Sequence, residues 1–158
     1  AAARLSGPGG SPSLRRDPPP LARALLDALR QRADAVQLGA LVTGALGHGL
    51  FARTGSVRLS QLSGSGILVV DGPLELDGAI DFEGLIVVDG DLRVADGAAV
   101  TVDGGLLQGP AANLLELRGQ GIVRYDQDAI TRLGAAWPDL LPLAARVTGW
   151  RELAEVTP

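Results

Sequence analysis

The chain has 158 residues, 46% hydrophobic but only 3% aromatic, with no Cys or Met and a net charge of −4. That length suits one domain, whose core must be filled by Leu, Val, Ile and Ala, and the missing Cys excludes disulfides and thiolate metal sites. Residues 64–125 hold ten acids and three Arg, a net −7 that argues against nucleic acid as a partner of the central body.

Residues 1–63 carry a net +5, so a basic arm precedes an acidic body. This asymmetry points to head-to-tail contacts or an anionic surface. Residues 1–20, AAARLSGPGGSPSLRRDPPP, read as a Pro/Gly/Ser-rich linker with no apolar signal-peptide core. A cytoplasmic protein and one whose leader was removed before Ala1 both fit this beginning. Arg15 and Arg16 in this arm are candidates for docking a partner.

Residues 21–52 are expected to be helical. Leu21, Leu25 and Leu29 share one face at spacing four, and Arg23 pairs with Asp27 on another. Residues 35–52, AVQLGALVTGALGHGLFA, then run for 18 residues without a charge. That touches the lower limit for a membrane span. Gly39, Gly44, Gly47 and Gly49 weaken the helix, so a buried helix capping the core is the plainer reading, and contact with a membrane or a partner is the sharper one. Leu46, His48 and Phe51 are its docking candidates.

From about Val57 the apolar period changes from four to two. VRLSQL reads as a first strand and SGSG as a turn. Then ILVVDG, PLELDG, AIDFEG, LIVVDG and DLRVADG follow, each closing on an acid and glycine. The second and fourth positions are apolar: Leu68/Val70, Leu74/Leu76, Ile80/Phe82, Ile86/Val88 and Leu92/Val94. Alternation sends them to one face, and glycine supplies the corner. Three hexads make one coil of about 18 residues: ILVVDG at 67 returns as LIVVDG at 85, and LELDG at 74 returns as LRVADG at 92 and LELRG at 115. Equal segments at a fixed period predict a solenoid. Residues 53–125 are therefore expected to form a parallel β-helix of 18–19 residues per coil and three to four coils. The spacing leaves handedness open; the right-handed bias of parallel crossovers favours one hand.

GIVRYD is the expected last strand. Residues 126–158 are expected to form a helical cap over the open end of the coils, with Asp126 or Asp128 as N-cap and Gly134 as the stop. Arg118, Arg124, Tyr125, Trp137 and Trp150 are the large groups here. They either anchor that cap or dock a partner, for which Trp137 and Trp150 are the candidates.

Little in the sequence speaks for chemistry. Asp71 stacked over Asp89, with Gln108 next, would put two carboxylates one strand spacing apart, a weak Ca²⁺ candidate; corner chemistry accounts for the same residues, and the GGxGxD calcium repeat is absent. His48 is the sole histidine, with no base partner beside it in sequence and no GxSxG elbow anywhere. A hexapeptide-type acyltransferase is thus the weakest reading. No enzyme activity and no cofactor are expected.

The run GSGILVVDGPLELDGAIDFEGLIVVDGDLRV, followed by IVRYDQDAITRL and a closing GWRE, resembles the C-terminal β-helix region of PilX-type, type IV pilus assembly-associated bacterial proteins. The likeness covers about residues 64–134 and more loosely extends to 152. It implies a non-catalytic structural or assembly protein of the cell envelope, periplasmic or extracellular, working through protein partners and connected with pili or secretion filaments. Such proteins normally begin with an apolar pilin-like helix, which is not in this sequence, and often carry Cys where Asp128 stands here. The short triangular coil alone also resembles the bactofilins, which implies a filament-forming scaffold as the alternative. An accessory subunit docking on a membrane complex through residues 35–52 and the basic arm is the other.

Overall fold

The computed structural model describes residues 20–109 and 114–140, and the side chains from Leu25 onward. It is a parallel β-solenoid. The chain runs as α1 (Pro20–Arg30), β1 (Val36–Gln37), β2 (Leu41–Thr54), β3 (Val57–Asp71), β4 (Leu74–Val88), β5 (Leu92–Val94), β6 (Ala99–Gln108), β7 (Leu115–Leu117), β8 (Gln120–Tyr125) and α2 (Gln127–Ala136). Every strand pairing is parallel, each strand lying on its counterpart one coil away.

The offsets follow the hexads. Phe51 pairs with Leu68 and Leu68 with Ile86, 17 and 18 residues apart. Leu74, Leu92 and Leu115 stack in one column, the register expected from the LELDG, LRVADG and LELRG repeats. Ile86 pairs with Leu106, so the fourth coil has stretched to 20 residues here, one more than the repeats indicate. About five coils form rather than three to four, because the stack begins earlier than residue 53.

That earlier start corrects the reading of residues 35–52 as a helix. They form β1 and most of β2, in register with β3 from Leu41 onward. The glycines that weaken a helix are here the corners of the first coil: Gly44 and Gly47 have φ of 87° and 76°. Without the helix, the membrane-contact reading of this segment loses the element it rested on. Among the described residues no helix is long and apolar enough to cross a membrane. SGSG is likewise not a turn outside the sheet; β3 runs through it, bending at Gln61 (φ 50°) and Gly66 (φ 119°).

Each coil has three faces. The interior is filled by stacked apolar side chains: Leu68, Val70, Leu74, Leu76, Ile80, Phe82, Ile86, Val88, Leu92 and Val94, the alternating positions of the hexads, all pack into it and are buried. Each contributes roughly 1.5–3 kcal/mol. Among the described residues no polar or charged residue is buried. The corner between the second and third faces is a ladder of glycines, Gly49, Gly66, Gly84 and Gly104, paired one above another.

The helices sit elsewhere than expected. α1 and α2 lie on the outer flank of the third face, and a second core forms there: Leu25, Leu26 and Leu29 of α1 and Leu133 of α2, with Leu140 beyond it, pack on Leu50, Ile67, Val69, Leu85 and Val87. The hexads ILVV and LIVV are thus buried on both sides, Ile67 through Val70 and Leu85 through Val88 alike. A run with no polar position is what a sheet covered on two faces requires. Asp126 is the N-cap of α2, its carboxylate accepting from the Asp128 and Ala129 amides. The helix continues through Gly134 to Ala136, so Gly134 is not its stop. Asp27 lies 3.4 Å from Arg30; the Arg23 side chain, its expected partner, lies outside the described ones. Residues 1–19 and 141–158, and with them Arg15, Arg16, Trp150 and most of the expected C-terminal cap, lie outside the described residues.

Candidate functional site

Three surfaces could carry function: the flank under the helices, the charged first face, and the two ends of the stack.

On the flank, two docking candidates meet. His48 on β2 and Trp137 at the C-terminus of α2 stack with ring centroids 5.2 Å apart and 23° between planes. His48 Nδ1 also lies 2.9 Å from Ser65 Oγ on the next strand. The stack ties α2 back to the first coil. Arg32, just after α1, binds Asp139, just after α2, and also Asp34. The bond from Arg32 holds the Asp34 carboxyl below its ordinary range and raises the guanidinium. Arg132 of α2 reaches Glu83 of β4 at 2.7 Å. Together these contacts fasten both helices to the solenoid and to each other. Phe51 is buried in the interior, and Leu46, on the outermost strand, packs partly buried against it.

A shallow crevice between α1 and the sheet is lined by Leu26, Leu29, Arg30, Arg53, Val69 and Asp71. Its charges are already engaged: Arg30 binds Asp71, and Arg53 donates to the Leu38 and Ser56 carbonyls. Asp71 therefore serves the α1 contact rather than standing open beside Asp89. Gln108 does not complete that stack, since it is in register with Val88 and donates to the carbonyls of Gly90 and Leu114. The stretched coil shifts it by one position. Among the described residues no group of three or more His, Asp or Glu side chains is placed to hold a metal ion.

The first face carries a ladder of alternating charge that the sequence reading missed. Arg58, Glu75, Arg93 and Glu116 follow one another in register along the outer column. Arg58 to Glu75 spans 3.6 Å and Arg93 to Glu116 spans 2.9 Å. Arg58 also binds Asp77, and Arg118 binds Glu116. The Arg118 hydrogen bond, then the charges of Arg118 and Arg93, hold the Glu116 carboxyl below the usual range. The sequence carries the signal, since these residues recur from coil to coil at the outward positions between the apolar ones.

At the ends, Val36 and Leu41 are 54% and 63% exposed on the first strands, and Leu114, just before β7, and Ile122 and Tyr125 of β8 are 48%, 40% and 41% exposed. Large exposed apolar side chains among the described residues are confined to these two ends. Compared with known proteins, the chain matches no family model, no curated protein and no solved structure.

Proposed function

We propose that this chain is a non-catalytic assembly module of the bacterial cell envelope, of the kind associated with type IV pili or related secretion filaments. The observation that carries the reading is the aliphatic column running from first coil to last inside a shell of Arg–carboxylate pairs. Such a body offers a rigid shape and surfaces rather than a reaction centre. The sole histidine is engaged with Ser65 and Trp137, which fits helix attachment. The envelope setting is supported by the resemblance of residues 64–134 to pilus-associated β-helices. A scaffold that polymerises through its own ends is the second reading, favoured by the apolar residues and strand edges open at both ends of the stack.

The test is capture in native cells. Epitope-tagged protein is cross-linked, the cells are fractionated, and the partners are identified by mass spectrometry. The expected result is recovery with the envelope fraction and with filament-assembly proteins, unchanged by His48→Ala. Recovery as a soluble protein with no cross-linked partner, or an activity abolished by His48→Ala, refutes it.

A further inference from the structure

Among the described residues no strand or helix covers either end of the solenoid. At the first end, residues 41–49 of β2 pair only with β3, since β1 reaches only Phe51 and Ala52. At the last end, β7 pairs only with β5 and β8 only with β6. Among the described residues each end thus presents a strand edge with no further strand on it. The interior is open there too: its partly buried aliphatic members, Val42 and Leu46 at one end and Leu106, Leu115, Leu117 and Val123 at the other, all lie on the outermost strands. Uncapped ends of this kind invite a further strand.

We propose that a second copy of this chain fills that place, the first coil of one copy seating on the last coil of the next, so that copies stack head to tail. The two ends match in step. The third face gains β1 at the first end and stops at β6 at the last, whereas the first two faces stop at β2 and gain β7 and β8. A copy placed in the same orientation brings β1 beside residues 105–108, residues 41–43 beside β7 and residues 44–49 beside β8. Every parallel ladder then continues across the junction. The side chains match as well. Val42 follows Leu117 in the interior column that runs Leu59, Leu76, Val94, Leu117. Ala45 follows Ile122 in the outer column that runs Ser63, Asp81, Thr101, Ile122. The two ends are different surfaces, so the contact is heterologous and does not close at two copies.

This deepens the assembly reading and rests on it only for its biological setting. The experiment uses purified full-length chain alone, so self-stacking can fail while envelope partners are still captured, and the reverse. Sedimentation velocity over a concentration series is expected to show mass rising above the 16.2 kDa monomer in integer steps. Ala45→Lys and Ile122→Lys each place a charge on an exposed site at one end, and their folding is checked by circular dichroism and melting. Each variant alone loses association and sediments as a monomer. Mixed one to one they form dimers and nothing larger, because each supplies the one intact end the other lacks. The proposal is overturned by a parent chain that stays monomeric throughout or stops at a dimer. Variants that associate like the parent, or a mixture that grows past two copies, also overturn it.

Discussion

Gly84→Ala tests the stacked-coil geometry at its tightest point. Gly84 has φ of 139°, and a Cβ built there would lie 2.1 Å from the Gly66 carbonyl oxygen one coil below. The obstacle is backbone, so no rotamer change relieves it. Holding a non-glycine residue in this conformation costs about 1–3 kcal/mol, and displacing packed structure to make room costs about 1–3 kcal/mol more. For a chain of this length each kcal/mol lowers Tm by roughly 2–4 °C. The expected fall is therefore roughly 4–24 °C, read by thermal melting at the strand signal in circular dichroism. Gly97→Ala is the matched control, because Gly97 also has positive φ, 77°, but nothing within 4 Å of a built Cβ. It bears only the left-handed penalty of about 1–2 kcal/mol. If the two substitutions lower Tm equally, the Gly84 corner is not pressed against the coil below and the column of glycines has been misread.

The two-sided burial of the apolar hexads has a direct check. Ile67→Ala, on the flank under the helices, is expected to cost about 2–5 kcal/mol, as much as Ile86→Ala in the interior; urea unfolding that finds Ile67→Ala near neutral refutes the second core. His48→Ala loses a ring stack of about 0.5–1.5 kcal/mol, so a small drop in calorimetric Tm is expected, and no drop means that the stack does not hold α2 to the first coil. Glu116 gives a pH prediction. Its carboxyl is held low mainly by the Arg118 hydrogen bond, so its stabilising contribution is present above the ordinary carboxylate range and is lost as pH falls below that range. Arg118→Ala is expected to raise the Glu116 titration midpoint toward the ordinary value, with no change of ionisation at neutral pH. A carbon-detected NMR titration showing the same midpoint in both proteins counts against the pairing.

The solenoid was legible in residues 57–95 because two independent signals coincide there. The alternation fixes which side chains face inward, and the Asp-Gly or Glu-Gly endings fix where the chain bends. Residues 41–54 carry the same coil without either signal in clear form. Their corners are bare glycines, a register shift falls between Ala45 and Gly47, and the lack of charge through residue 52 imitates a buried helix. Pairing with β3 settles the matter in the fold, and that is a long-range contact that local periodicity does not contain. The same limit applies to the surfaces. His48 and Trp137 stand out in the sequence singly, as rare or large groups, but their contact spans 89 positions and depends on α2 folding back along the flank.

The placement of the helices follows from the composition of the hexads themselves. In PLELDG and AIDFEG the outward positions are polar or charged, Glu75 and Asp77, Asp81 and Glu83, so those faces meet water unaided. In ILVVDG and LIVVDG the outward positions are Ile67, Val69, Leu85 and Val87, and left bare they would form an apolar stripe along the solenoid. A stripe of that kind needs a cover, and Leu25, Leu26 and Leu29, one to four residues apart on α1, supply one. The helices are therefore committed to the flank by the odd positions of two hexads, positions that an alternation rule assigns to solvent. Once they are so committed, they leave the strand edges and apolar tips at each end as the surfaces where Val42, Leu117 and Ile122 can meet another chain.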